Sequence, residues 1–517
     1  MSLRESAIRP GGVEPAPPRR WLPGTAVLLA YLFAAGLTSL FVLTVATHLR
    51  DRFALSHVDG VWLNLALAAR SGSIPPPLLE DGVYSGTRYL PLPVTMLSVV
   101  GRVMGDDIAA GKLLALLSFA LLLLVAGLLL HRLRVPAPVI AVLLTLVAAT
   151  PTGHQAALTI RFDALPAALQ LAALTVLVLA AGRHRPATLL AMGVLCGAAP
   201  ALKTSALWGA LTVLLWLLAQ RQVRQAGLFL AATVVTFAGL FLPFVVASDG
   251  GVLSQLRATS ASGEDPLWRV DRSLLHLANF ATSNDMVTVP LLVGATAVAL
   301  LVLYQRRCTP LHLALLLAFL QVFVLSADRG IETNHLIDMV VLAVVVVGLA
   351  LGTALRTARD PAPTLLVALV GLTLMAVGGS WMQWRVVETA VVAGLRGQSD
   401  AAVARDPLAG LVPLGAPLLS EDPGIPVVRG QQSVVGDPFL FRRLSATRPQ
   451  WSADLVRRIR AHEFEAVVLL QVSPDVAATW YDEVHFGGAV GAAIKGSYAL
   501  EQTLPNGQLL YRPAVRR

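Results

Sequence analysis

Charge is what this chain has least of. Only 14% of its 517 residues are Asp, Glu, Lys or Arg, against roughly 25% in ordinary soluble domains. Meanwhile 56% are apolar and the mean hydropathy is +0.69. So little charge cannot cover the surface of a soluble enzyme of this length, and the composition equally excludes a disordered or collagen-like chain. Cysteine is nearly absent: Cys196 and Cys308 make no disulfide framework, and no spacing suits a zinc site. Lysine is confined to Lys112, Lys203 and Lys495. What remains is a protein solvated mostly by lipid. In a soluble protein the formal charge of +9 and the pI near 10.1 would point to nucleic acid, so the placement of the basic residues decides their meaning.

Residues 1–20 are polar and carry Arg4, Arg9, Arg19 and Arg20. An apolar run of about 23 residues, 24–46, follows and is long enough to span a bilayer. It has no small-residue cleavage site, so it reads as a retained first helix. Further apolar runs lie near 110–130, 137–150, 164–181, 187–202, 205–219, 226–247, 286–304, 310–326, 336–354 and 363–381. Together they predict about eleven spans. Five short connections hold basic pairs: Arg132 and Arg134, Arg183 and Arg185, Arg221 and Arg224, Arg306 and Arg307, Arg356 and Arg359. These are alternate connections if residues 1–23 are cytoplasmic, as the positive-inside rule requires. The basic excess is then mainly a topology signal and argues against a nucleic-acid partner.

With this topology in a cell membrane, the long connections all fall outside. They comprise residues 47–109, 151–163, the stretch around Lys203, 248–285, 327–335 and everything after about 383. Function is therefore expected on the extracytoplasmic face. From about residue 400 the composition changes. The β-type runs Val427-Val428, Val434-Val435 and Val467-Val468-Leu469-Leu470 alternate with helical text such as residues 451–461. The expected organisation is a cytoplasmic tail (1–23), an α-helical polytopic body (24–383) and a small C-terminal extracytoplasmic α/β domain (384–517). Substrate binding and mere covering of the membrane part are equally consistent with that domain.

The most specific text is the first outer loop, His57-Val58-Asp59-Gly60-Val61-Trp62 and onward to Gly72. Trp62, Leu65 and Ala69 recur at helical spacing, which predicts an amphipathic helix able to lie along the membrane interface. Asp59 at its start is either a functional anion or a helix cap. Tyr84-Ser85-Gly86-Thr87-Arg88-Tyr89-Leu90-Pro91-Leu92-Pro93 comes next, then Gly105-Asp106-Asp107 and Lys112. Adjacent carboxylates on a helix do not face each other, so Asp106-Asp107 reads as a cap rather than a metal pair. Lys203, at the end of an apolar run, is either functional or snorkelling to headgroups.

This order resembles the first outer loop of the GT-C superfamily of polytopic glycosyltransferases, among them protein O-mannosyltransferases and lipid A aminoarabinose transferases. Three later segments extend the resemblance. They are His154 through Arg161-Phe162-Asp163-Ala164-Leu165, Gly193 through Lys203-Thr204, and Arg329-Gly330-Ile331-Glu332-Thr333-Asn334-His335-Leu336. The tail from Ser420-Glu421-Asp422-Pro423 to Gly436-Asp437-Pro438 also resembles tails of uncharacterised members.

The resemblance implies hexosyl or pentosyl transfer from a polyprenyl-phosphate-linked donor to a glycan, lipid or protein acceptor at the bilayer's outer face. Asp59 matches the catalytic acidic residue, although many relatives have Asp-Glu where this chain has Asp59-Gly60. Asp163 is the second catalytic candidate, as an acceptor-orienting carboxylate or a partner of Arg161. Arg88, Tyr89, Arg161 and Lys203 are candidates for the donor phosphate. His57, His154, Glu332, Asn334 and His335 are candidate cleft-lining residues. No cofactor is predicted, and no ligand spacing supports a divalent metal. The rival reading is a polytopic transporter or flippase, which internal repeats and broken helices would favour.

Overall fold

The computed structural model describes residues 24–180, 182, 185–261, 270–282, 287–327, 333–358, 361–379, 406–472 and 479–514. The expected tail 1–23 and Glu332 lie outside the described residues. Each expected apolar run falls on helix. These are α1 (Gly24–Arg50), α4 (Asp107–Arg132), α5 (Ala137–Ala149), α7 (Ala164–Leu179), α8 (Pro186–Leu202), α9 (Trp208–Ala219), α10 (Val223–Ala247), α13 (Thr288–Tyr304), α14 (Pro310–Leu325), α15 (Ile337–Thr357) and α16 (Pro361–Gly379). The first outer loop supplies α2 (His57–Arg70) and α3 (Pro91–Met104), and α6 (Pro151–Leu158) follows α5 at a bend of 74°. Two further helices, α11 (Gly251–Ala261) and α12 (Val270–Thr282), follow α10.

Among the described residues four helices are long and apolar enough to cross a membrane, and five if the bent α5–α6 pair is one span. That is fewer than the eleven expected. Helices of 12 to 17 residues, such as α9, α7 and α13, cover only about 18–26 Å at 1.5 Å per residue, against roughly 30 Å of hydrocarbon.

Close packing within the body rests on small residues. Gly193 and Gly197, one turn apart on α8, face α10. A methyl group at Gly193 would lie 2.4 Å from the Ala232 Cβ, and one at Gly197 would lie 2.4 Å from the Thr233 carbonyl oxygen. At the end of α1, Lys112 of α4 donates its Nζ to the carbonyls of His48 (2.8 Å) and Asp51 (2.6 Å). This buried lysine thereby satisfies carbonyls that a helix end leaves open. The Arg356 guanidinium donates to the Leu133 carbonyl at 3.1 Å, which brings two of the basic connections together at one end of the body.

At the other end sits the C-terminal α/β unit. Its sheet has the order β3-β4-β6-β5, from β3 (Leu418–Ser420), β4 (Ala466–Leu469), β5 (Tyr498–Thr503) and β6 (Leu509–Pro513). The β3–β4 pair is parallel and the others are antiparallel. The crossover between β3 and β4 carries α17 (Gly424–Val428), α18 (Pro438–Thr447) and α19 (Pro449–Arg460), and α20 (Gly488–Ser497) precedes β5.

The Val467 run is a strand and residues 451–460 are helix, as expected. Val427-Val428 is not a strand but closes α17, which starts at Gly424 directly after Pro423. Val434-Val435 is not a strand of the sheet either. Only Val435 pairs, in a single parallel bridge to Tyr84, because Asp437 caps α18 two residues later with Pro438 at its first position.

That bridge joins the C-terminal unit to the first loop's hairpin, β1 (Leu79–Glu80) and β2 (Val83–Tyr84). The Tyr84 N–H donates to the Val434 carbonyl and the Gly436 N–H to the Tyr84 carbonyl, both at 2.8 Å. The Tyr84 hydroxyl donates to Asp454 at 2.5 Å, and its ring packs on Phe441 and Trp451. Between this unit and the body, α2 is buried on all sides from Val58 to Ala66. It is a sandwiched core helix and not one lying along the membrane interface with a free face.

Candidate active site

Asp59 stands at the third position of α2, where Ser56 and Asp59 form a capping box. The Asp59 N–H donates to the Ser56 hydroxyl at 3.3 Å, and Asp59 Oδ2 accepts the Ser56 N–H at 2.7 Å. Its other oxygen, Oδ1, accepts the Ile160 N–H of the second long loop, also at 2.7 Å. Capping therefore accounts for one oxygen, and the second ties two loops together. The carboxyl is 1% exposed. Burial pushes it above the usual carboxylate range, and the two backbone N–H groups, the Ser56 hydroxyl and the Arg161 charge offset only part of that. Aromatic packing reinforces the junction, with the Trp62 ring 4.5 Å from Tyr89 and 5.4 Å from Phe162.

A second polar group forms beside it. Lys203, at the end of α8, donates to Asp163 Oδ1 at 2.5 Å, and Asn334 Nδ2 donates to Asp163 Oδ2 at 2.8 Å. Lys203 is thus paired, where a snorkelling lysine would reach for headgroups. The nearest hydrogen-bonding partners of Asp163 are Lys203 and Asn334, with Arg161 acting on it through charge. Burial pushes the Asp163 carboxyl upward, but the charges of Lys203, His335 and Arg161 outweigh it and hold the group below the usual range. His335 lies within electrostatic range of Lys203, Asp163, Arg161 and Arg88, so the three predicted cations converge around one point.

Arg88 reaches that point from the first loop while its Nε donates to Asp437 of the C-terminal unit at 2.8 Å. Its guanidinium also covers the rings of Phe439 (4.5 Å) and Tyr89 (5.0 Å). His57 meets a C-terminal residue too, its ring 5.1 Å from that of His485. His154 lies on α6 within electrostatic range of His48. Asp106 caps α4, accepting the N–H groups of Ile108 and Ala109 and pairing with Arg52, while Asp107 pairs with Arg70. Among the described residues no three His, Cys, Asp or Glu side chains cluster with metal-binding geometry.

Sequence reasoning missed the groups that the C-terminal unit contributes. Glu421, wholly buried, accepts hydrogen bonds from the Leu470 N–H (2.9 Å), Trp480 Nε1 (2.6 Å) and His485 Nδ1 (2.8 Å). Asp422 and Asp437 are the others, and buried Asp338 of α15 lies within electrostatic range of Lys203 and Asp163. An acidic pair in an apolar setting, Ser420-Glu421-Asp422-Pro423, was the available signal, but nothing local places it against residue 59.

The fold is similar to that of solved structures of ArnT and of an archaeal oligosaccharyltransferase. No family model and no curated protein matches the chain, whereas solved structures match over nearly all of it. ArnT from Cupriavidus metallidurans in the apo state gives a TM-score of 0.55 over 94% of this chain and 98% of that one, at 13% identity. The same protein bound to undecaprenyl phosphate gives 0.56 over 95% and 99%, at 12% identity. The Archaeoglobus fulgidus oligosaccharyltransferase, tethered with an acceptor peptide, gives 0.51 over 92% and 74%, at 14% identity.

Proposed function

We propose that this chain is a membrane glycosyltransferase that moves a sugar from a polyprenyl-phosphate-linked donor to an acceptor on the extracytoplasmic face, with Asp59 as general base. The observation that carries the reading is the 2.7 Å hydrogen bond from Ile160 N–H to Asp59, one residue from Arg161. It ties the acid of the first loop to the segment of the second that carries Arg161, whose charge acts on Asp59. The structural neighbours support the substrate class, since one was crystallised with undecaprenyl phosphate and another with an acceptor peptide.

In the proposed reaction the acceptor hydroxyl oxygen forms a bond to the anomeric carbon as the bond from that carbon to the donor's phosphate oxygen breaks. The acceptor proton passes to Asp59, and the polyprenyl phosphate leaves with the electron pair. One backbone N–H orients each oxygen of Asp59, Ser56 at Oδ2 and Ile160 at Oδ1. Burial raises its basicity, as a base working near neutral pH needs. Arg161 and Arg88 stabilise the charge developing on the phosphate, and Tyr89 packs beside them. Asp163 and Asn334 hold Lys203 extended toward the same charge. The transferred group is a hexosyl or pentosyl unit.

The test is turnover of polyprenyl-phosphate sugars by the purified full chain. Asp59→Asn is expected to lower the rate by about 10²–10⁴-fold, the usual worth of a positioned base, while donor binding persists. Full activity in Asp59→Asn would remove it from this role.

A further inference from the structure

Arg88 is held from two directions. Its backbone is fixed by the first loop and α11. The Thr87 N–H donates to Gln255 Oε1 at 2.9 Å, Gln255 Nε2 donates to the Pro76 carbonyl at 2.7 Å, and the Tyr89 N–H donates to the Thr87 hydroxyl at 2.9 Å. Thr87 and Gln255 are both buried. A fixed backbone does not order an arginine side chain, which keeps its own rotamer freedom. The C-terminal unit does that. Arg88 Nε donates to Asp437 Oδ2 at 2.8 Å, and the guanidinium lies 4.5 Å from the ring centroid of Phe439 on the first turn of α18. Asp437 is buried and committed at its other oxygen, since Oδ1 accepts the Leu440 N–H at 3.1 Å as the cap of α18. Its carboxylate cannot swing away from Arg88 without uncapping that helix.

The segment leading to Asp437 is docked on the first loop backbone to backbone. Tyr84 exchanges two hydrogen bonds of 2.8 Å with Val434 and Gly436, and a methyl group at Gly436 would stand 2.4 Å from Asn64 Nδ2 of α2. The unit meets α2 again at Gly60, where a methyl group would lie 2.0 Å from the Gly424 nitrogen, and Asp422 accepts the Gly424 N–H at 2.8 Å. We propose that Asp437 is a positioning residue for Arg88: the docked unit supplies the carboxylate that fixes the guanidinium in the orientation in which it meets the donor phosphate. This rests on the reading of Arg88 as a phosphate ligand. A carboxylate beside an anion site also repels the anion, so the sign of its effect is decisive. A tether that spares the ordering of a long side chain tightens binding, whereas a competitor for the guanidinium weakens it.

Asn caps a helix as well as Asp does, so Asp437→Asn keeps α18 and removes the charged acceptor offered to Arg88. The probe is undecaprenyl phosphate, titrated onto the purified full chain in lipid nanodiscs. Asp437→Asn is expected to weaken its binding by about tenfold while the Tm stays close to that of the wild type. Asp437→Ser, a second uncharged cap, is expected to do the same. Arg88→Gln is expected to weaken binding at least as much, and adding Asp437→Asn to it should weaken binding no further, because the tether then has nothing to hold. A merely structural role for Asp437 would give losses that multiply in the double variant, which overturns the proposal. Tighter binding in Asp437→Asn would make the carboxylate a competitor and overturn it too. If the wild type binds the probe and Asp437→Asn binds it equally well, the positioning role fails and the glycosyltransferase reading stands. If the folded wild type binds no undecaprenyl phosphate, the phosphate reading of the site fails and takes this proposal with it.

Discussion

Asp163 and Lys203 meet at 2.5 Å with side chains 9% and 19% exposed, so each charge depends on the other to offset its lost hydration. Lys203→Met leaves a buried carboxylate hydrogen-bonded by Asn334 and without its paired ammonium. It is expected to cost about 3 kcal/mol of stability, seen as a lowered Tm in detergent. Adding Asp163→Asn should restore most of that loss, since the amide oxygen still accepts from Asn334, and a double variant as unstable as the single one would contradict the pairing. Asp59, Asp163, Arg88, Arg161 and Lys203 were legible because each stands in a short polar motif between apolar runs, where a charge is conspicuous. The partnerships were not. Lys203 with Asp163, Arg88 with Asp437 and Asp59 with Ile160 join segments far apart in the chain, and only the packing of helices decides such pairs.

Elements show the same division between local pattern and tertiary choice. The apolar runs named helices correctly because the text between Gly, Pro and Arg turns is continuous and hydrophobic. Val427-Val428 misled because two β-branched residues weigh less than a preceding Pro423-Gly424 start and burial against α2. Small residues on α8 set the distance to α10. Gly197→Val puts its Cβ 2.4 Å from the Thr233 carbonyl oxygen and 2.8 Å from the Thr236 Cβ, so the helices must part. A loss of at least about 2 kcal/mol is expected, measured by thermal or denaturant unfolding in detergent. Gly239→Val, on an exposed face of α10 with no atom within 4 Å, is the matched control and should change stability little. Equal losses in both would place the α8–α10 contact elsewhere.

Across the whole molecule, polarity is segregated. Exposed leucines and valines along α1, α4 and α10 suit lipid. Polar chemistry gathers where the first loop, the second loop, the start of α15 and the C-terminal unit meet. Composition revealed the lipid-solvated body, and motif order revealed the polar end. The docking of the C-terminal unit onto α2 was invisible, because the Gly60–Gly424 contact has no local signature. That docking makes the unit part of the site's wall, through Asp422, Asp437 and His485.

The central claim is sugar transfer from a lipid phosphate, and one measurement addresses it directly. Purified full chain in lipid nanodiscs is incubated with a panel of radiolabelled polyprenyl-phosphate sugars, with Asp59→Asn run in parallel. The account predicts release of label from the lipid phase by the wild type and a loss of about 10²–10⁴-fold in Asp59→Asn. A folded wild type that cleaves no donor at any pH, or an Asp59→Asn protein that cleaves one at the wild-type rate, would contradict it.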